Sequence, residues 1–332
     1  MRDRLTDNFR FGFVLLALFF FVLCPGLVPQ AKALTVSPVK VELSGDPGKS
    51  VKGELQLINE QNATITFYTT FANFAAQGEN GAPNFVYTPG ELDDWISMPN
   101  QVSLDAGQHK KMPFTISIPA DADPGGHFAA IFFGTAPPET HGNTQVSVGA
   151  KIGVLVLLKV SGTVKQGADI VEFSSINHQK IFSTFPVTFA YRFQNSGGDR
   201  VMPTGEIKIK NIFGSTVDVL PANPIKGNVL PMSIRKFTVL WSGQNSPLDQ
   251  AANDSKGFFP AVKSQWHNFA FGIYTANLNL NYNNSSVTSN FSVFIFPWQL
   301  LLFIIILLLV AAYVLIKAVK RYNHWIINKA KS

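Results

Sequence analysis

"PGGHFAAIFFGTA" (residues 124–136) and "AFGIYTANLNLNY" (residues 270–282) are two phrases of the same form, roughly 145 residues apart. Each has a glycine corner, then Gly-x-aromatic-x-Ala, then an apolar strand: Gly126-His127-Phe128-Ala129-Ala130 in the first, Gly272-Ile273-Tyr274-Thr275-Ala276 in the second. Upstream of each, a strand ends in asparagine, in "LQLINEQNATITF" (55–67) and in "FAYRFQNSGGDRV" (189–201). Asparagine suits a strand end because its side chain bonds its own backbone and tolerates positive φ. A glycine ahead of an aromatic allows a tight corner, from which the ring would plug the end of a sandwich. Between these signposts the chain alternates apolar and polar residues in short runs broken by Gly, Pro, Asn and Asp. Short strands separated by turns at roughly 8–12-residue intervals mark a sandwich of two antiparallel sheets. The expectation is therefore an all-β chain with two tandem immunoglobulin-like β-sandwiches, over 34–162 and 163–295.

The ends of the chain read differently. "MRDRLTDNFRFGFVLLALFFFVLCPGLVPQAKA" has a basic start, an apolar run too short to span comfortably, helix breakers and an Ala-Lys-Ala site. That is the pattern of a cleaved secretory signal peptide over 1–33, with a mature start at Leu34. From Trp298 to Ile316 no residue is charged. At about 1.5 Å per residue such a run matches the hydrocarbon core, where the backbone must satisfy itself as a helix. A transmembrane helix is expected at 296–317, with Trp298 and Tyr313 at the interfaces and Lys317, Lys320 and Arg321 opening a basic cytoplasmic tail (318–332). The predicted arrangement is a single-pass type I membrane protein with its bulk extracytoplasmic.

This topology accounts for the charge. Of the net +6, +2 lies in residues 1–33 and +5 in 317–332, which leaves the body at −1. The basic excess thus gives no reason to expect nucleic acid as a partner. The one cysteine, Cys24, lies in the leader, so disulfides cannot staple the mature chain. A lipoprotein reading of Cys24 would need small residues before it, where Leu23 stands.

Nothing in the pattern assembles a catalytic set. His109, His127, His141, His178 and His267 do not pair at metal-ligand spacing. Asp93 and Asp94 are adjacent, so on a strand they point to opposite faces and cannot work on one bond; a solvent-facing loop is the expectation. Asp121 and Asp123 precede a glycine turn but lack the longer ligand set of a calcium loop. No G-x-S-x-G corner or phosphate-cradling Gly-rich loop is present. No metal or other cofactor is expected, and the protein reads as a non-enzyme.

Binding then falls to loops at the sandwich ends. The candidates are "AAQGENGAPNFVYTPGELDDW" (75–95), whose Phe85, Tyr87 and Trp95 either serve as aromatic anchors or fold back to cover the sandwich edge, "PPETHGNTQ" (137–145) and "QNSPLDQAANDSKGFF" (244–259). The run "VGAKIGVLVLLKVSG" (148–162) could add to a partner's strand by β-augmentation, although its density of apolar residues argues for a buried strand. No amphipathic helix longer than about two turns is expected in the body.

Within the first module, Ser37-Pro38, Pro47-Gly48, Asn59, Ala106-Gly107, Pro119 and Pro124-Gly125-Gly126 give a series of words that resembles the membrane-anchored WxL-interacting proteins of bacteria. The resemblance covers roughly 34–160 and then rests on domain order. It implies a membrane-held, non-catalytic protein that binds or scaffolds a cell-wall polymer or surface protein, with membrane lipid around its helix. The same words are similar to periplasmic pilus chaperones, which are two immunoglobulin-like domains without a C-terminal helix. That similarity implies the alternative of a chaperone-like assembly factor for exported subunits. A third expectation is an accessory subunit of a membrane complex.

Overall fold

The computed structural model describes residues 34–86, 88–137, 151–243 and 257–330. The expected signal peptide, Tyr87 and nearly all of the 137–145 and 244–259 loops lie outside the described residues. The first module contains β1 (Leu34–Ser37), β2 (Lys40–Gly45), β3 (Ser50–Asn59), β4 (Ile65–Gln77), β5 (Ala82–Val86), α1 (Leu92–Trp95), β6 (Ile96–Ser97), β7 (Gln101–Leu104), β8 (His109–Ser117), β9 (Gly125–Gly134) and β10 (Lys151–Val160). The second contains β11 (Ala168–Ser175), β12 (Ile181–Phe182), β13 (Val187–Asn195), β14 (Thr204–Asn211), β15 (Thr216–Pro221), β16 (Ser233–Trp241), α2 (Phe258–His267), β17 (Gly272–Tyr282) and β18 (Ser285–Ile295), and α3 (Trp298–Ala330) follows.

Each module is a two-sheet sandwich. In the first, a sheet of order β1-β3-β8-β6 faces one of order β2-β10-β9-β4-β5, with β7 also paired to β4. In the second, β11-β13-β16 faces β12-β18-β17-β14-β15. Period-two alternation sends one side of every strand inward: Leu55 and Leu57, Phe114 and Ile116, Ile131 and Phe133, Val154 and Val156 fill the first core. Phe189, Tyr191 and Phe193, Ile207 and Ile209, and Leu278 and Leu280 fill the second. Full burial of each such side chain stabilises by about 1.5–3 kcal/mol.

The repeat seen in the sequence exists in the topology. The leading strand of each module changes sheets partway. β1 runs antiparallel to β3, and after Pro38 the chain crosses so that β2 runs parallel to β10. In the same way β11 runs antiparallel to β13 and β12 parallel to β18. The two asparagines are equivalent in detail. Asn59 and Asn195 are both fully buried. Asn59 Nδ2 donates to Ala63 O (2.9 Å) and Leu104 O (3.0 Å), while Oδ1 accepts from Gln61 N (3.0 Å). Asn195 Nδ2 donates to Asp199 O (2.8 Å) and Val229 O (3.0 Å), while Oδ1 accepts from Gly197 N (2.9 Å). Each asparagine closes its own turn and ties it to a distant strand or loop.

The glycine-aromatic phrases are less alike than they read. In β9 the inward residues are Ala129, Ile131 and Phe133, so Phe128 faces outward and packs 5.8 Å from the Phe74 ring. In β17 the inward set is Ala276, Leu278 and Leu280, and Tyr274 lies against the core 5.3 Å from Trp241. The words match while the pleats are one residue out of phase, and such a slip moves every side chain to the opposite face. Only the second aromatic closes its sandwich.

Two helical expectations need correction. α2 is a ten-residue helix where the sequence reads as a polar excursion. Pro260 in its first turn hides the signal, yet that position is one a proline tolerates because its N–H has no helical partner. α3 continues for 33 residues, so the basic stretch after Ile316 prolongs the helix through Ala330. Within it, the segment Trp298–Ile326 contains a run long and apolar enough to cross a membrane.

Candidate functional site

Strand β10 is central to its sheet along only part of its length. β2 pairs with it from Leu155 to Val160, whereas β9 pairs with it from Lys151 onward. Leu155 donates its N–H to Val39 O at 3.1 Å, which fixes the direction in which odd-numbered residues present their backbone. Lys151 and Gly153 therefore point their N–H and C=O groups to the side where no strand lies among the described residues. The expectation that this apolar run is a buried strand thus holds for its second half, and its first half is an open edge.

The open edge borders a cleft between the modules, with a cavity of ≈ 490 Å³. On the first module the wall is the outer face of the β10-bearing sheet, where Gly153, Leu155, Leu157, Phe74 and Ala76 line the space. On the second module the wall is the connection from β15 to β16. Asn223 shapes it: Nδ2 donates to Pro203 O and Gly227 O, both at 3.0 Å, and Oδ1 accepts from Gly227 N at 2.9 Å. This turn holds Ile225 and Lys226 in the cleft, with Ile225 70% exposed.

Arg235 lines the same cleft. A Cβ on Gly81 or Gly227 would stand 2.3 or 2.8 Å from its Cζ, so two glycines make room for the guanidinium. Nη1 donates to Asn228 O at 2.7 Å, and the group lies 5.3 Å from the Phe237 ring centroid. No carboxylate among the described residues pairs with it. Burial pulls its pKa below the usual arginine value. A half-buried, unneutralised cation beside an open strand edge favours an anionic group on whatever enters.

Ion pairs brace the modules against each other. Glu42 on β2 contacts Lys40 Nζ (2.6 Å), Asn228 Nδ2 (3.2 Å) and Arg200 Nη2 (3.2 Å), the last two from the second module. Burial alone would raise the Glu42 pKa; these three partners overcome it and hold the carboxyl at about 2. Glu79, between β4 and β5, takes both arms of Arg192 on β13, with Nε at 2.8 Å, and its carbonyl accepts from Lys236 N at 2.7 Å. The bond from Arg192 holds the Glu79 carboxyl down. Lys159 reaches Asp199 at 3.0 Å, and Gly126 N donates to Gly198 O at 3.0 Å.

The expected aromatic anchors separate. Phe85 is 41% exposed and sits edge-on to Phe74 and Phe132 on the outer sheet face. Trp95 is buried in the first core, its Nε1 donating to Gly90 O at 3.1 Å. Leu92 and Trp95 from α1 and Ile96 from β6 all point inward, and that placement has no local signal in the sequence. The acidic pair beside it serves the backbone and a neighbour: Asp93 N donates to Asn73 Oδ1 at 2.9 Å, and Asp94 Oδ2 accepts from Gly90 N at 2.6 Å. Asp93 is half-buried, a departure from the solvent-facing loop expected, and burial raises its pKa. His127 bonds Asp123 O at 2.8 Å and lies against the Trp95 ring at 4.8 Å. No group of three or more His, Cys, Asp or Glu among the described residues could hold a metal ion.

At the far end of the molecule, Trp298 opens α3 6.4 Å from the Phe258 ring, and Lys317 Nζ lies 5.4 Å from the Tyr313 ring centroid. Lys320 and Arg321 are exposed on the same helix. The run holding Lys151 and Gly153 was named from the sequence as a possible partner-pairing edge, but Arg235, Ile225 and the cleft itself were not, because the two walls come from segments about 80 residues apart in the chain.

No family model matches the chain, and no curated protein sequence matches it. The resemblance to the WxL-interacting proteins therefore finds no support. Similar solved structures include the class 5 fimbriae chaperone CfaA, at 14% identity, TM-score 0.39, covering 78% of this chain and 98% of that one. Another is the Salmonella enterica SafA pilin in complex with the SafB chaperone, at 10% identity, TM-score 0.35, covering 81% and 99%. The E. coli chaperone DraB is similar at 11% identity, TM-score 0.33, covering 80% and 99%. Scores this low leave the fold to be read from the chain's own strand order, and they carry nothing about partners.

Proposed function

We propose that this chain is a non-catalytic, membrane-tethered assembly factor that holds an extended segment of an exported polypeptide in the cleft between its two sandwiches. The observation that carries the reading is the open edge of β10 at Lys151–Gly153 beside an apolar cleft containing an unneutralised arginine. An incoming strand would take main-chain hydrogen bonds from that edge and bury its apolar side chains against Leu155, Leu157 and Ile225. An acidic side chain or chain terminus on the segment would meet Arg235. α3 would keep the complex at the membrane. The low similarity to chaperones is no part of this support. A wall-polymer ligand is less favoured, since Trp95 is core and Phe85 is packed against its sheet.

The test is a photo-reactive residue at Ile225 in the full chain in its native membrane. Cross-links to an exported polypeptide are expected, lost in Lys151→Pro and in Arg235→Met. The proline removes an outward N–H without touching the β9 ladder. Cross-links indifferent to both substitutions would overturn the reading. So would co-sedimentation with purified cell walls in the absence of any polypeptide adduct.

A further inference from the structure

The end of the second module next to α3 carries a concentration of exposed large apolar side chains, five aromatics and one isoleucine. Phe213 is 84% exposed, Phe259 72%, Trp266 67%, Phe269 61%, Phe271 54% and Ile273 52%. Such a contiguous display is unusual on a soluble face and marks a contact surface. The strand registers place these residues together. Asn211, at the end of β14, pairs with Tyr274 near the start of β17, and Gly272 pairs with Ile295 at the end of β18. Ile212 Cγ2 lies 3.9 Å from where a Cβ on Gly272 would stand, which brings the β14–β15 turn to the same end. Phe271 is 6.1 Å from Phe296, two residues before α3 begins.

α2 fixes the depth of this surface. Gln265, its buried residue, accepts from Leu300 N at 2.8 Å and bonds the Gln299 side chain, so α2 lies against the first turn of α3. Its opposite face presents Phe259, Lys263 and Trp266, all exposed and spaced four and three residues apart. A lysine flanked by two aromatics on one helical face suits the boundary between headgroups and acyl chains: the rings enter while the ammonium snorkels to the phosphates. Trp298 begins the apolar span at the same level.

We infer that this aromatic collar seats in the bilayer interface, so that the second module rests on the membrane through α2, the β14–β15 turn and the Phe269–Ile273 segment. The occupant is lipid because the patch is continuous with α3 and sits level with its first turn. The inference goes beyond the partner-binding reading and is independent of it; it rests on α3 spanning the bilayer. One consequence is a fixed tilt of the body, which holds the interdomain cleft at a set height above the membrane.

The lone cysteine lies outside the body, so the Cys24→Ser chain accepts single reporters. An environment-sensitive fluorophore would be placed by Phe213→Cys, Trp266→Cys or Phe269→Cys in the full chain, reconstituted in phosphatidylcholine–phosphatidylglycerol vesicles. Met232→Cys serves as a distant control, being 80% exposed beside β16's first residue at the other end of the module. Leu308→Cys, about 15 Å along α3 from Trp298, reports the membrane interior. Blue-shifted emission is expected at 213, 266 and 269, quenched more by spin labels near the headgroup than at the acyl-chain end. Position 232 should stay water-like, and 308 should show the reverse quenching order. Water-like emission at 266 and 269 with a responsive 308 would overturn the inference. A water-like 308 would take the span and the collar down together.

Discussion

Replacing Asn59 by alanine should destabilise the first module, and replacing Asn195 should destabilise the second by a similar amount. Asn59 is fully buried, and its side chain makes bonds to Ala63 O, Leu104 O, Asp105 O and Gln61 N. Alanine deletes all four and fills none of the space. The Leu104 carbonyl bond is wholly buried, so its loss strands an acceptor away from water. A buried polar group left unpaired costs about 1–3 kcal/mol. With a second, partly buried group at Gln61 N, the expected loss is about 2–4 kcal/mol. Asn195 loses the equivalent pair, to Val229 O and from Gly197 N, and the same range applies. For modules of this size 1 kcal/mol lowers the midpoint by about 3 °C, so each variant should melt roughly 6–12 °C lower. The assay is scanning calorimetry of the full chain in detergent. Asn284→Ala, on an exposed turn, is the comparison and should stay within about 0.5 kcal/mol. Losses at Asn59 or Asn195 no larger than at Asn284 would refute the argument. One severe and one silent variant would refute the equivalence of the two turns.

Other consequences are equally direct. Glu42 is held at about 2, below its ordinary 4.5, so its contribution is whole above pH 4.5 and drains away as pH falls toward 2. The shift alone would correspond to ~3 kcal/mol, but the side chain is 40% exposed, and screening reduces this to about 1 kcal/mol. The melting gap between wild type and Glu42→Gln should therefore be present at pH 6 and close by pH 2; a gap that widened on acidification would contradict the assignment. Trp95→Ala should cost about 3–5 kcal/mol by denaturant titration, whereas Phe85→Ala, at a 41% exposed ring, should cost roughly 1 kcal/mol. Equal costs would mean that the two aromatics do not divide between core and surface. At Gly205, where φ is +152°, an added Cβ would stand 2.0 Å from Asn279 O on the neighbouring strand. Gly205→Ala should lose at least ~2 kcal/mol and lower the expressed yield of folded chain; wild-type melting would show that β14 and β17 do not approach this closely.

Strand alternation made the sandwiches readable. Leu55 and Leu57, Phe114 and Ile116, and Phe67 all point inward as their spacing demands, because a half-buried strand needs a period of two. The paired asparagines were readable for a local reason: their bonds to residues two and four positions on are fixed by the turn itself. The phase of β9 against β17 was not, since the equivalent glycines Gly126 and Gly272 stand on opposite pleats and only the facing sheet decides which pleat is buried. Whether Trp95 was a surface anchor or a cover for the sandwich could not be read, because a loop rich in Gly, Pro and Asp surrounds it and gives no period. α2 was hidden by Pro260, and it is held by α3, which lies thirty residues onward.

Sequence alone determined the all-β class, the twofold repeat and the long apolar helix at the end, since each is written in local periodicity over consecutive residues. Only the tertiary structure decided where β2 stops covering β10, how Arg235 comes to stand unneutralised beside that edge, and how the aromatics of four separate segments gather around the start of α3. Those features are distances between parts of the chain far apart in order. No local pattern encodes them, because they exist only once the sheets have closed and the modules have met.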